Sequence, residues 1–147
     1  MDKSARILVI DDDRNIRETI ITILEDEGYV VDCAETGSEA IKKTEATAYN
    51  VALIDIRLPD MEGVALLTKI RNQVPRTRKI IMTGYPSIQN AIEALNKSAD
   101  AYVIKPIDVE KLLSIVREQI RLQETEEKFS EQKVAEFIER RVKDSCL

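Results

Sequence analysis

Histidine and tryptophan are both absent from this chain of 147 residues. Without an imidazole there is no Ser-His or Cys-His catalytic pair, no HExxH metal site, and no histidine from which to donate a phosphoryl group. Chemistry carried out by this chain must therefore depend on carboxylates, hydroxyls, lysines or a bound metal ion.

Aromatic residues, cysteine and long apolar runs are also scarce. With 4% aromatic residues and a formal net charge of −5, we expect no direct contact with nucleic acid. The two cysteines, Cys33 and Cys146, lie far apart and outside any CxxC pair, which argues against a disulfide framework or a zinc site. No apolar run reaches the roughly 20 residues that span a bilayer, and the first residues lack a signal-peptide pattern. We expect a cytoplasmic protein that makes no membrane contact.

Five short apolar runs rich in β-branched residues alternate with amphipathic segments. Each run has the length of a buried strand, and the segments between them have helical spacing. This alternation predicts an α/β fold, a five-stranded parallel sheet wound on both faces. The chain is long enough for one such domain and an appendage. The predicted strands are residues 6–10, 29–34, 51–55, 79–83 and 101–105.

Polar side chains follow the predicted strands at their carboxyl ends. Ligands of open α/β sheets bind beyond that edge, so we expect these side chains to converge. Adjacent carboxylates make each other costly to ionise unless a cation holds them, and hard oxygen ligands select magnesium or a similar ion. The residues at this edge are Asp11, Asp12, Asp13, Asp55, Thr83 and Lys105.

Asp55 acquires a specific chemical role from this arrangement. A carboxylate held ionised beside a cation can attack a phosphoryl group and form an aspartyl phosphate. Lys105 supplies a second positive charge for the phosphoryl oxygens. Asp13 directly precedes an amphipathic segment and is expected to cap that helix instead.

The motifs together resemble the receiver domain of two-component response regulators. They are "ILVIDDD", "LIDIRLPDMEG", "IIMTGY" and "ADAYVIKPI", in family order over residues 5 to about 121, with D-x-x-x-P-x-x-x-G spacing from Asp55 to Gly63. The resemblance implies a chemotaxis-regulator-like fold with the flavodoxin-like strand order 2-1-3-4-5. It also implies a receiver domain at residues 1–121, leaving residues 122–147 as a helical tail or linker.

In this family the phosphoacceptor and the metal ligands occupy known motif positions. The resemblance implies that Asp55 is the phosphoacceptor and that Mg²⁺ or Mn²⁺ is bound by Asp11, Asp12, Asp55 and the backbone carbonyl of Arg57. Arg57 and Tyr85 occupy variable positions beside the phosphoryl group. Because both side chains are bulky, we expect them to obstruct in-line attack by water and slow autodephosphorylation.

The resemblance also assigns the residues that hold the phosphoryl group and respond to it. Thr83, Gly84 and Lys105 would bind it, and Thr83 and Tyr102 would be the switch residues. The Lys105-Pro106 bond is typically cis in this family. Ala101 stands where regulators that dimerise through a charged ladder often carry an acid, which argues against that route to a dimer.

The function implied is that of a phosphorylation-controlled switch. A sensor histidine kinase or a phosphotransfer protein would supply the phosphoryl group. A downstream protein would read the face formed by the fourth helix, the fifth strand and the fifth helix. The domain would catalyse its own phosphorylation and dephosphorylation without turning over other substrates. We expect a single-domain regulator without a DNA-binding output, and a receiver fragment of a longer regulator is the alternative.

Two other classes of protein fit parts of the pattern. A haloacid-dehalogenase-type phosphatase also uses an aspartate nucleophile and magnesium, and Asp11-x-Asp13 matches its first motif. However, Asn15 stands where that family has threonine or valine, and "YVIKPI" offers lysine where it has an acid. A purely structural module would use the aspartates only as helix caps.

The segment after Pro106 contains neither glycine nor proline. One helix from Asp108 to about residue 143 is therefore predicted. Its middle is polar, which makes a poor continuous coiled coil, but apolar residues return at helical spacing near the end. Such a stripe is too short to be stable as a lone helix in water, so we expect a homodimer through the C-terminal helix. The stripe consists of Val134, Phe137, Ile138 and Val142.

Overall fold

The computed structural model describes residues 4–70, 75–84 and 87–145. Strands and helices alternate along the described chain as the sequence predicts. The elements are β1 (Arg6–Ile10), α1 (Arg14–Asp26), β2 (Val30–Ala34), α2 (Gly37–Ala46), β3 (Val51–Asp55), α3 (Gly63–Lys69), β4 (Arg78–Thr83), α4 (Ile88–Asn96), β5 (Ala101–Ile104) and α5 (Val109–Ser145).

The five strands form one parallel sheet in the order β2-β1-β3-β4-β5. This confirms both the predicted fold class and the strand order implied by the resemblance. Ile10 is paired with Ile54, and Thr83 is paired with Ile104. The carboxyl ends of β1, β3, β4 and β5 therefore lie along the same edge, where the predicted site residues follow them.

Both faces of the sheet are buried, because helices cover each side. Side chains alternate between two apolar layers along every central strand. Leu8, Ile10 and Ile54 pack in one layer with Leu66 of α3. The other layer contains Ile7 and Val9 of β1, Leu53 of β3, Ile20 of α1 and Val116 of α5.

The helix ends follow the capping residues read from the sequence. The Asp13 carboxylate accepts a 3.1 Å hydrogen bond from the backbone N–H of Ile16, which confirms Asp13 as the N-cap of α1. Asp108 accepts a bond of the same length from the N–H of Lys111 at the start of α5. Gly28, two residues after the end of α1, has a φ of +92°, a conformation that glycine adopts at little cost.

Helix α5 is continuous over 37 residues, about 55 Å at 1.5 Å per residue. This confirms the single long helix predicted after Asp108. Leu112 and Val116 are buried against the sheet, and Gln123 is 2% exposed. Every residue from Glu124 to Arg141 is exposed. None of the helices in the described ranges is long and apolar enough to cross a membrane.

Candidate functional site

Three aspartates meet at the carboxyl edge of the sheet. Asp11 is fully buried at the end of β1, Asp55 is 8% exposed at the end of β3, and Asp12 is exposed beside them. One carboxylate oxygen from each lies within 4.8 Å of the others. Ligands of this type and spacing fit a hard divalent cation.

Lys105 reaches into the same cluster from the loop after β5. Its Nζ lies 2.8 Å from Asp11 Oδ2 and 3.4 Å from Asp55 Oδ1. The backbone N–H of Lys105 donates a 2.7 Å hydrogen bond to the carbonyl oxygen of Thr83, which joins this loop to the end of β4. The Lys105-Pro106 peptide bond is cis, as the resemblance implied.

The electrostatics of the cluster favour a bound cation. Burial, together with the negative charge of Asp11, raises the pKa of Asp55 to about 6, although Lys105 opposes this rise. Burial lowers the pKa of Lys105, but its hydrogen bond to Asp11 and the charges of both aspartates outweigh that effect and raise it. One ammonium is thus shared between two carboxylates, and a second cation would relieve their mutual repulsion.

The loop after Asp55 is held by Gly63. Its N–H donates a 2.7 Å hydrogen bond to the carbonyl oxygen of Ile56, and a Cβ at Gly63 would lie only 2.1 Å from the carbonyl oxygen of Asp55. Only glycine permits this approach. The spacing from Asp55 to Gly63 in the sequence thus reflects a loop folded back on the end of β3 at Asp55.

Thr83 is the last residue of β4, and Gly84 follows it. Thr83 is fully buried and lines a cavity of about 280 Å³ with Ile56, Arg57, Glu62 and Asn90. Gly84 is exposed, and a Cβ there would lie 4.0 Å from Cβ of Lys105. The structure therefore places both residues beside Lys105. Tyr85, which we expected to flank the phosphoryl group, lies outside the described residues.

Tyr102 has a buried hydroxyl and lies on β5, next to a surface with several exposed apolar side chains. The hydroxyl of Tyr102 is buried and has no hydrogen-bond partner within the described part of the chain. Large apolar side chains stand exposed on the neighbouring elements, and Ile88 on α4 is 82% exposed. The other exposed apolar residues of this α4–β5–α5 face are Ile92, Ile104 and Val109.

Two supporting residues were not anticipated from the sequence. Arg17 is buried and donates a 2.9 Å hydrogen bond to the carbonyl oxygen of Asp11, and it also pairs with Glu35 at 3.3 Å. Asp60 accepts hydrogen bonds of 2.9 Å from the N–H groups of Gly37 and Ser38, which joins the loop after β3 to the start of α2. A basic residue on the apolar face of α1 was the available signal for Arg17.

A parallel sheet covered by helices on both faces, with a cluster of aspartates suited to a cation at its carboxyl edge, defines the class of protein. The family model of the response regulator receiver domain matches residues 7–117 of this chain. The chain belongs to the family of response regulator receiver domains.

The known relatives agree with this family. Regulatory protein AtoC of Escherichia coli (strain K12) is 38% identical over 118 residues, which are 80% of this chain and 26% of AtoC. This chain thus spans about a quarter of the length of that relative. The solved CheY-like receiver domain protein from Methanospirillum hungatei JF-1 is 44% identical with a TM-score of 0.80, over 84% of this chain and 99% of that one. The beryllofluoride-activated NtrC4 receiver domain dimer is 34% identical with a TM-score of 0.75, over 80% of this chain and 98% of that one.

Proposed function

We propose that Asp55 accepts a phosphoryl group in a reaction that requires Mg²⁺ or Mn²⁺. The observation that supports this most strongly is the convergence of three aspartates and Lys105 at one edge of the sheet. Asp55 combines partial burial with a neighbouring cation, as a carboxylate nucleophile needs.

The residues present fit a magnesium ion. Asp11, Asp12 and Asp55 supply carboxylate oxygens, and the backbone carbonyl of Arg57 is proposed as a further ligand. When bound, the ion would neutralise the charge that develops on the phosphoryl oxygens.

The chain's own residues perform the transfer. An oxygen of Asp55 forms the bond to phosphorus while the bond between phosphorus and the donor's leaving atom breaks. Lys105 then contacts a phosphoryl oxygen, together with Thr83 and the backbone at Gly84. The added negative charge draws the loops after β4 and β5 inward, and Tyr102 moves with them.

The partners follow from this chemistry. The donor is a sensor histidine kinase or a phosphotransfer protein, since this chain has no histidine. The exposed apolar side chains of the α4–β5–α5 face favour a downstream protein partner. Relatives include proteins named as transcriptional regulators, of which this chain covers only part, and we propose no direct nucleic-acid contact for the residues given. We propose that the domain acts in the cytoplasm.

We also propose a homodimer formed by the tail of α5. Phe129, Val134, Phe137 and Ile138 are each between 56% and 59% exposed there. Lys133 lies 4.8 Å from the ring centre of Phe129, and Arg141 lies 5.1 Å from that of Phe137. Each ring thus has a cation of the same chain over one face, and we propose Val134 and Ile138 as the centre of the surface that contacts a second chain. The side chain of Val142, the fourth residue of the predicted stripe, lies outside what the structure describes.

Phosphorylation with acetyl phosphate tests the proposed reaction. Wild type should become labelled on Phos-tag gels only when Mg²⁺ is present, and Asp55→Asn should not. Asp26→Asn, an exposed residue of α1, is the matched control and should label like wild type. Equal labelling of wild type and Asp55→Asn would contradict the assignment.

A further inference from the structure

Lys79 is a buried cation without a counter-ion. It is the second residue of β4 and is 5% exposed. Its Nζ donates one hydrogen bond, of 2.9 Å, to the carbonyl oxygen of Leu67 near the end of α3. Among residues 4–70, 75–84 and 87–145, no carboxylate oxygen lies within 4.0 Å of this ammonium and no second acceptor bonds to it. Two of its three N–H groups are therefore unused.

The other buried cations of the described chain, Arg17 and Arg78, are paired. Arg17 has Glu35 at 3.3 Å and Arg78 has Glu126 at 2.6 Å, and the partly buried Lys105 has Asp11 at 2.8 Å. Buried charges in proteins are paired as a rule, because removing a lone charge from water is costly. Lys79 departs from the pattern that the rest of this molecule follows.

A cavity of about 460 Å³ lies beside Lys79. Its size falls within the range of small-molecule sites, about 300–1,000 Å³. It lies toward the amino end of β4, at the edge of the sheet opposite Asp55. The cavity is lined by the end of α3, the start of β4 and the turn before β5, including Arg76, Lys97, Ser98 and Asp100.

The lining is positively charged although the chain as a whole is acidic. Three cationic side chains face one carboxylate, that of Asp100. Both oxygens of Asp100 accept hydrogen bonds from Arg76, at 2.8 and 2.9 Å, and one also accepts from the backbone N–H of Lys79 at 2.8 Å. Both Asp100 oxygens are therefore already bonded to other donors, and Asp100 offsets the charge of Lys79 only from a distance.

We propose that this cavity binds a small oxyanion, a phosphate or a compact dicarboxylate, with Lys79 as its central ligand. Lys79 donates its two unused N–H groups, and Lys97 at the rim adds a second positive charge. The anion replaces the missing counter-ion and connects the end of α3 with the turn between α4 and β5. This site is separate from the proposed phosphorylation chemistry and does not depend on it.

Titration of the full chain without Mg²⁺ tests the site, with inorganic phosphate, succinate and neutral succinamide as probes. Isothermal titration calorimetry should give saturable binding of phosphate or succinate and none of succinamide. Lys79→Met should weaken that binding at least about tenfold. Lys42→Met, which removes an exposed lysine of α2, should bind like wild type.

Amide chemical shifts measured during the same titration locate the bound anion. The saturable shifts should involve Leu67, Thr68 and residues 97–100. Absence of saturable binding by wild type would overturn the proposal. So would unchanged binding by Lys79→Met in a protein that circular dichroism shows to be folded, or saturable shifts confined to the edge at Asp55.

Discussion

Arg78, at the start of β4, donates a 2.6 Å hydrogen bond to the carboxylate of Glu126, near the middle of α5. Its Nε also donates to Gln119 at 2.8 Å. One turn beyond Gln119 along α5, Gln123 accepts a 2.8 Å hydrogen bond from the side-chain amide of Asn50. These polar contacts hold α5 against the amino edge of the sheet as far as Glu126. The domain boundary at residue 121 stays a prediction, and the helix crosses it without a break.

We expect Glu126→Ala to lower the free energy of unfolding by about 1 kcal/mol. A hydrogen bond to a charged group is worth about 1.5–3 kcal/mol, and this one is weakened because Glu126 is half exposed. Urea unfolding measures the change. Glu124→Ala is the control, since Glu124 is exposed in the same turn, and it should stay within about 0.5 kcal/mol of wild type. Equal effects of the two substitutions would show that the contact contributes no stability.

Ser98 occupies a backbone conformation that favours glycine. Its φ is +77°, and the N–H of Ala99 bonds to the carbonyl oxygen of Ala94 at 2.9 Å, which closes the end of α4. Ser98→Gly should raise the free energy of unfolding by about 0.5–1 kcal/mol. The substitution removes the backbone strain, but it also gives the unfolded chain more conformational freedom, which offsets part of the gain.

The same substitution inside a helix should have the opposite sign. Ser114→Gly, at an exposed interior position of α5, is expected to lower the free energy of unfolding by about 0.5 kcal/mol. Thermal and urea unfolding of both variants makes the comparison. A loss of stability at position 98 would show that the serine side chain contributes more there than its backbone strain costs.

Lys79 should make stability depend on pH in alkaline solution. Burial lowers its pKa below the ordinary value of 10.5, so the folded state disfavours the charged form. The resulting penalty is largest at low pH and disappears as the pH rises from the folded-state pKa toward 10.5. Without added oxyanion, Lys79→Met should be more stable than wild type at neutral pH, and the difference should shrink toward pH 10.5. Urea unfolding across this pH range measures it, and a difference independent of pH would contradict the prediction.

Arg57 should prolong the life of the aspartyl phosphate. Its exposed side chain lies two residues after Asp55 and lines a cavity together with Thr83. Arg57→Ala should speed the loss of the phosphoryl group several-fold, because in-line attack becomes less obstructed. Decay followed on Phos-tag gels after removal of the donor provides the rate. An unchanged rate would show that this side chain does not restrict access of water.

The tail should determine the oligomeric state. Sedimentation equilibrium of the full chain should give the mass of two chains. The double variant Val134→Ser/Ile138→Ser should give the mass of one, because it removes the apolar surface left open on α5. Lys128→Ser/Gln132→Ser, at the same spacing on exposed positions, should stay dimeric. A single-chain mass for wild type would rule out the tail dimer under these conditions.

The order of elements could be read from the sequence because burial and capping leave local patterns. Asp13 and Asp108 lie directly before α1 and α5 in the sequence, and their side chains cap these two helices. Some strands begin or end one residue away from the predicted position, because pairing with the neighbouring strand extends or stops there. For example, β4 begins at Arg78 rather than Lys79, since Arg78 pairs with Val51.

The sequence by itself determined the class of fold and the set of residues at the carboxyl edge, because every parallel strand delivers its next residue to that edge. Only the tertiary structure decided which distant groups satisfy one another. No local pattern connects Lys79 with Leu67 or Arg78 with Glu126, since these partners come from elements that meet only when the sheet is assembled. The contacts of a lysine within a predicted strand, or of a polar residue in a long helix, depend on those distant partners.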